Sequence, residues 1–361
     1  MSKVAHAEDS AAANRLVNEY MGSRNAPVVE KDQVHFLFRG RADHVAVPSE
    51  INRWNPSVGM MTRVGGTDLF FRSESLPSNG RVEYKIWVDS AWMLDPLNQR
   101  TSPGGFGANS DVWMAGYRPS PLISEAPGVP HGTIDTLWIE SAALQRRHPV
   151  YIYTPPGIDA DTKYPAIIVT DGADYLGFAR MNLVLDNLIA AKKIRPLIGI
   201  FVDPRTELNN NSTNHRMNDY SASDAFLEFL EKEVVPQVGN RHPVSSSANE
   251  RVLLGASMGG LIATYAGLQR PEFFPNCAAQ SPAYVMADSA VMKKIDALPR
   301  VSLRVFIQTG LLNDTQPEAK LVSTLLRRKG GTVRYEEFPE GHNWKNWGSH
   351  LPKILEYFFK M

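Results

Sequence analysis

Three side chains in the last third of the chain have the types and order needed to attack a carbonyl carbon. Ser257 lies in RVLLGASMGGLIATYAGL, which reads as a strand, then Gly255-Ala256-Ser257-Met258-Gly259, then a helix. This is the G-x-S-x-G pattern of a nucleophile elbow. A tight strand-to-helix turn lifts the serine hydroxyl clear of the sheet edge. It also brings the backbone so close to its neighbours that Gly255 and Gly259 carry no side chain. A helix starting at the serine aims N–H groups and its dipole at developing negative charge. Five letters alone occur by chance, and the strand–turn–helix setting is what gives them weight.

A serine hydroxyl is a poor nucleophile until a base takes its proton. In folds of this type the chain order is serine, acid, histidine. Of nine histidines only His342 and His350 follow Ser257. His342 stands in EFPEGHNWKNW, just after the strand-like run TVRYEEF, where a base belongs. His350 falls in the terminal helical segment and reads as a surface residue. The acid is expected after the preceding strand, and LRVFIQTGLLND places Asp314 there to orient the imidazole and stabilise its cation. Glu318, four residues on, is the rival, and Asp288 comes too early. The alternative role for Asp314 is to cap the helix opened by Thr315-Gln316-Pro317.

The developing oxyanion needs two backbone donors. One is the N–H of Met258; the other is expected from the loop after PAIIVT, Asp171-Gly172-Ala173-Asp174-Tyr175. Gly172 permits the turn, and the Ala173 N–H is the expected donor. Asp171 and Asp174 lack further metal-ligand spacing and read as turn caps. No metal and no cofactor is expected.

These residues need a scaffold, and the chain's texture supplies one. From residue 134 to 361, apolar strand runs (PVYIYT, PAIIVT, LIGIFV, RVLLG, LRVFIQTG) alternate with amphipathic helical stretches. That alternation predicts a mainly parallel sheet covered on both faces, an α/β-hydrolase domain. From 30 to 118 short alternating runs such as VHFLFRG and RVEYKIWVDSAWML are broken by Gly65-Gly66 and Asn79-Gly80, which predicts a small immunoglobulin-like β-sandwich. Residues 119–133 hold Pro119, Pro121, Pro127 and Pro130 and read as a linker. Residues 1–29 read as a loose polar or weakly helical arm.

Length and composition bound the rest. The chain has 361 residues, which suits two domains. Its 38 Lys plus Arg balance 38 Asp plus Glu, which argues against a general nucleic-acid or membrane-surface partner. The single cysteine, Cys277, can form neither an internal disulfide nor a cysteine zinc site. No run approaches the roughly 20 apolar residues of a membrane span. The first residues lack the apolar core of a signal peptide, so the expected location is cytoplasmic; a chain with its leader trimmed would read the same.

At these residues the chain resembles the esterase D-like α/β-hydrolases, and within them the enterochelin (ferric enterobactin) esterases. The matching pieces are TDGADY, VDPRTEL, GASMGG, QTGLLND and EGHNWKNW, with VHFLFRG, MTRVGGTDLFF and YKIWVDSAWMLDPLN in the first half. The resemblance covers roughly residues 30–361. It implies a carboxylic-ester hydrolase with a triad, no cofactor and a small-molecule ester substrate. It supports Ser257, Asp314 and His342, with Ala173 and Met258 as the oxyanion pair, and it implies that Arg205 lies near the substrate mouth. One departure is Asn343, where the family often has aspartate. Another is the longer LLND segment before the acid. The same two-part layout occurs in feruloyl and acetyl-xylan esterases, which keeps a plant-cell-wall ester open beside a siderophore. A related fold in mycolyltransferases keeps acyl transfer open as well.

A catecholate trilactone that chelates iron is anionic and aromatic, so its pocket should offer cations and flat rings. Arg205, His215 and Arg216 are the candidate cations, and Tyr175, Trp344 and Trp347 the candidate rings. The alternative for Trp344 and Trp347 is packing against the last helix. For Arg205 it is a salt bridge to Glu207 or an exposed position. Trp54, Trp92 and Trp113 form a candidate sugar platform, with core packing as the alternative.

Overall fold

The computed structural model describes residues 10–22, 26–159, 161–206 and 213–361. Glu207, weighed above as a partner for Arg205, lies outside these residues, as does the start of the N-terminal arm. The chain forms two compact units. The first is Met1–Pro119 together with two short later segments, Gly310–Asp314 and Phe338–Asn343; the second is the remainder.

In the first unit the helix α1 (Ser10–Gly22) precedes β1 (Val28–Glu30), β2 (Gln33–Arg39), β3 (Val45–Ala46), β4 (Thr62–Arg63), β5 (Leu69–Ser75), β6 (Arg81–Tyr84), β7 (Ile86–Val88), β8 (Ala91–Met93), β9 (Thr101–Ser102) and β10 (Asn109–Trp113). They pair antiparallel in three sheets, ordered β1-β2-β5-β4, β3-β7-β8 and β6-β10-β9. Alternation along β2 sets the core: Val34, Phe36 and Phe38 join Phe70, Val82, Tyr84 and Val112, while Leu37 points the other way. Leu37 and Leu69 are covered there by Ala13 and Val17 of α1. The arm was expected to be loose or weakly helical; residues 10–22 are helical, and two small apolar residues one turn apart suffice to dock them, because the sheet's second face is apolar.

The second unit is one sheet of β11 (Thr133–Ser141), β12 (Arg146–Thr154), β13 (Ala166–Thr170), β14 (Ile198–Val202), β15 (Arg251–Ala256), β16 (Asn276–Gln280), β17 (Arg304–Gly310) and β18 (Thr332–Phe338). The order is β11-β12-β14-β13-β15-β16-β17-β18. The first two pairings are antiparallel and those from β14 to β17 parallel. Successive residues feed opposite cores. Ile168, Ile200, Leu253 and Val305 face one side, and Ile167, Val169, Leu254 and Phe306 the other.

Helices cover both faces. They are α2 (Gly172–Gly177), α3 (Met181–Ala190), α4 (Arg216–Tyr220), α5 (Asp224–Glu228, continued by a π-helical turn Phe229–Val234 and a last α-helical turn Val235–Gly239), α6 (Met258–Gln269), α7 (Met286–Ala297), α8 (Gln316–Arg328) and α9 (Trp344–Phe359). Leu261 and Ile262 of α6 and Val322 and Leu326 of α8 pack on the first core, and Val184 and Leu188 of α3 and Leu351 and Leu355 of α9 on the second. The proline-rich stretch is held down too: Asn187 Nδ2 donates to the carbonyls of Leu122 and Ser124, both at 2.9 Å.

Val17 has no exposed surface, so Val17→Asp places a carboxylate in an apolar cluster away from water. The expected result is release of α1. Trypsin then cuts after Arg15 at least tenfold faster than in the wild type, while the main thermal transition of the second unit is unchanged.

Candidate active site

Ser257 joins β15 to α6 with φ 57° and ψ −117°. An L-residue pays roughly 1–3 kcal/mol to hold such a conformation, and it persists only where the surroundings over-determine it. Here they do. The Ser257 N–H donates to the Gln280 carbonyl at 2.8 Å, and its own carbonyl accepts from Leu261 at 3.1 Å and Ala283 at 3.0 Å. Gly255 is required by close approach, because a Cβ there would collide with the carbonyl of Gly259 and the hydroxyl of Thr170. Met258 begins α6, so its N–H belongs to the first turn, where no intrahelical acceptor exists.

The candidate acid and base lie in the first unit, on its two late segments. Asp314 Oδ1 is 2.7 Å from His342 Nδ1, and Asp314 Oδ2 accepts the Gly310 N–H at 2.7 Å. The carboxylate is fully buried, whereas the imidazole is 38% exposed. Leu311 N–H donates to Phe338 O (2.8 Å) and Leu312 N–H to Glu340 O (3.1 Å), which zips the two loops together. Glu318 stands in the first turn of α8, and the histidine's carboxylate partner is Asp314.

Beside the elbow, in the second unit, lies a buried charge network that the sequence did not reveal. Asp171 has φ 54° and directly follows β13; its carboxylate takes Arg216 Nε at 2.7 Å and Nη2 at 2.9 Å. Arg216 Nη2 also donates to the carbonyl of Ala256 at 3.0 Å. One guanidinium therefore ties the loop after β13 to the residue preceding Ser257. Burial pushes the Asp171 carboxyl above its usual range, with Arg216 opposing. Asp203 binds Arg205 through Nε and Nη2, both at 2.7 Å, and Arg205 Nη2 reaches Asp174 at 3.0 Å.

Four expectations change as a result. The Ala173 N–H, expected to be an oxyanion donor, instead donates to Asp203 Oδ2 at 3.0 Å. The carboxylate that Arg205 holds in place caps the start of α2. Arg205 and Arg216 were candidate cations for substrate, but both are committed to internal carboxylates. His215 is pushed below its usual pKa by partial burial and then by Arg146, which weakens its case as a cation. Asp171 and Asp174, read as turn caps, are ion-pair partners. One clue to this network was legible: a D-G turn after an almost wholly apolar strand leaves its aspartate buried, and a buried carboxylate demands a partner.

The aromatic candidates divide. Tyr175 is wholly buried and donates to Gln280 Oε1 at 2.8 Å, and Trp347 is 5% exposed and donates to Ser281 Oγ at 2.9 Å. Both are core residues rather than pocket walls, because each polar tip finds its partner inside. Half-buried Trp344 packs edge-on to both, at 5.2 and 4.8 Å between ring centroids. In the first unit Trp113 has the Arg100 guanidinium 4.0 Å over its ring and Tyr117 against it, so that face is already covered. Trp54 is half-buried, and Trp92 is exposed on β8.

A nucleophile elbow on a sheet of this order, with helices on both faces, defines an α/β-hydrolase. The chain belongs to the Esterase family, described as "Putative esterase", whose profile matches residues 141–358. It is 25% identical over 283 residues to the iron(III) enterobactin esterase of Escherichia coli K12, covering 72% of this chain and 67% of that protein. It is 26% identical over 236 residues to the uncharacterized protein YjcH of Bacillus subtilis, covering 63% of this chain and 97% of that one. The crystal structure of ferric enterobactin esterase from Salmonella typhimurium superposes with a TM-score of 0.78 at 21% identity, covering 94% of this chain and 98% of that one. A ferulic acid esterase from Anaeromyces mucronatus gives 0.54 at 16% identity, covering 67% and 96%. The protein is a carboxylic ester hydrolase.

Removing one partner of a buried ion pair strands the other charge. Arg216→Met therefore lowers the free energy of unfolding by about 3 kcal/mol, measured by urea titration. Adding Asp171→Asn to that variant restores part of the loss, because the stranded carboxylate is gone. Strict additivity of the two substitutions would contradict the pairing.

Proposed function

We propose that the protein hydrolyses its ester through an acyl-enzyme on Ser257, with His342 as general base and Asp314 as the orienting acid. The observation that carries this reading is the strained serine between β15 and α6, a conformation expensive to keep without a chemical use. Asp314 on Nδ1 favours the tautomer with its proton there, which leaves the Nε2 lone pair to accept the Ser257 proton. Oγ then bonds to the carbonyl carbon, and the oxyanion is stabilised by the Met258 N–H at the head of α6. Collapse expels the alkoxide, which takes the proton back from the imidazolium. Water repeats the sequence: His342 removes its proton, the acyl–Oγ bond breaks, and Ser257 is reprotonated. Because the Ala173 N–H is occupied by Asp203, Met258 is the donor assigned here.

For substrate, we favour an aromatic or siderophore-type ester. The support is architectural: the enterobactin esterase likeness spans 94% of the chain, the ferulic acid esterase likeness 67%. A polysaccharide-linked feruloyl or acetyl ester is the second reading, favoured by those ferulic acid esterase neighbours and by a xylanase/feruloyl esterase of Xylanibacter ruminicola, 24% identical over 242 residues. The internal ion pairs of Arg205 and Arg216 remove the cation argument for an anionic substrate.

Ser257→Ala is expected to lose fluorophosphonate labelling and at least 10³-fold in kcat on a p-nitrophenyl ester, in line with the loss of a triad member. Labelling that persists at another serine contradicts the assignment. A panel of ferric and iron-free catecholate lactones, methyl ferulate and acetylated xylan, ranked by kcat/KM, is expected to put a catecholate lactone first. Methyl ferulate or xylan in first place favours the second reading, and faster turnover with added alcohol acceptors marks an acyltransferase.

A further inference from the structure

His342 sits in a loop whose neighbouring residues are gripped by a buried polar cluster of the N-terminal sheets, within the same compact unit. Arg81 of β6 has no exposed surface. Its Nε lies 2.8 Å from Asp111 Oδ1 of β10, and its Nη2 lies 2.7 Å from Glu83 Oε1. Its Nη1 donates to Asn343 Oδ1 at 2.8 Å and stands 3.9 Å from Glu340 Oε2. Glu50, 4% exposed in the short turn Glu50–Asn52, accepts the Glu83 N–H at 2.9 Å and Asn343 Nδ2 at 2.6 Å.

Both ends of the Asn343 amide are thus committed, its oxygen to a cation and its nitrogen to a carboxyl group. Turning the amide over would set NH₂ against guanidinium, so its orientation is fixed. On the other side of His342, Gly341 has no room for a Cβ, which would strike the Glu50 carboxyl group. One residue before Asp314, Asn313 Nδ2 donates to the Glu50 carbonyl at 2.9 Å. The residues flanking the base, and the one preceding the acid, therefore converge on Glu50 and Arg81.

We propose that Arg81 and Glu50 are positioning residues of the ester hydrolase: acting through Asn343, Gly341 and Asn313, they hold the Asp314–His342 pair in its working geometry. Neither touches substrate. The inference rests on the reading of His342 as the base, and it gives the N-terminal unit a part in catalysis that sugar binding would not require.

The electrostatics fit a cluster under tension. One guanidinium faces the carboxyl groups of Glu50, Glu83, Asp111 and Glu340, with Tyr117 donating to Glu340 at 3.3 Å and Asn109 to Glu83 at 2.8 Å. Burial, then the charge of Glu83, pushes the Glu50 carboxyl up from 4.5 to about 8, with Arg81 opposing. An acid raised in this way keeps in the fold a proton that the unfolded chain has released. The resulting stability is complete below about pH 4.5 and is lost as pH climbs to about 8.

The test uses the full chain and a p-nitrophenyl ester, with kcat, KM, the fluorophosphonate labelling rate and thermal midpoints compared among variants. Asn343→Ala removes no charge and is expected to fold. Its kcat and labelling rate should fall together by at least tenfold, with KM within twofold of wild type. Arg81→Lys keeps the charge but loses the fork, and should do the same if it folds. Glu50→Gln should flatten the decline in thermal midpoint between pH 4.5 and 8. The proposal is overturned if Asn343→Ala keeps wild-type kcat and labelling rate. That result does not touch the nucleophile: Ser257→Ala stays inactive if the positioning idea alone is wrong, and stays active if the acyl-enzyme reading is wrong.

Discussion

A serine at φ 57° and ψ −117° has nowhere to relax, and much of the second unit serves to keep it there. Its N–H is taken by Gln280 of the neighbouring parallel strand β16. The Gln280 side chain is itself fixed, accepting from Tyr175, donating to Gln308 Oε1 at 2.7 Å and to the Trp347 carbonyl at 2.9 Å. Gln308 in turn donates to Asn346 at 2.9 Å. Buried amides paired in sequence permit few alternative arrangements, because each rotation would strand a polar group in a dry interior. The ends of β16 and β17 and the start of α9 are thereby locked around the elbow.

Charge is handled differently in the two units. Beside the elbow, Asp171 and Asp203 each face a guanidinium, and Arg205 bridges from Asp203 to Asp174. In the N-terminal unit one arginine serves several carboxyl groups, and the imbalance shows in Glu50. In both places arginine rather than lysine does the joining, since a planar fork can meet two or three acceptors at once. Ion pairs of this kind add little net stability over apolar packing, but they fix direction, which is what loops carrying catalytic groups require.

What could be read from the sequence was what is local. The run from β15 through Ser257 into α6 is contiguous, so glycine spacing and apolar periodicity located it. Asp314 follows β17, whose apolar run is plain, His342 follows the strand-like run TVRYEEF, and the two-sided sheet follows from strands such as β13 and β14 that are apolar at nearly every position. Long-range pairings were not legible. Arg216 is 45 residues from Asp171, and nothing in either segment names the other. Tyr175 and Trp347 looked like pocket walls because aromatics near catalytic loops suit either a wall or a core, and only the partners of their polar tips decide. The docking of helix α1 was obscured by its small apolar face, Ala13 and Val17, which matters only because an apolar sheet face waits for it. Asn343 was noticed as a departure from the family pattern, yet its reason lies in Glu50 and Arg81, more than 260 residues earlier in the chain.

The central claim is that the imidazole at 342 activates the hydroxyl at 257. Rapid acid quench during turnover of a slow ester, followed by peptide mass mapping, addresses it most directly. The account predicts an acyl mass on the peptide containing Ser257, forming at least 10³-fold more slowly when His342 is replaced by alanine. An acyl group on any other residue, or one that forms on Ser257 at an undiminished rate without the imidazole, would contradict it.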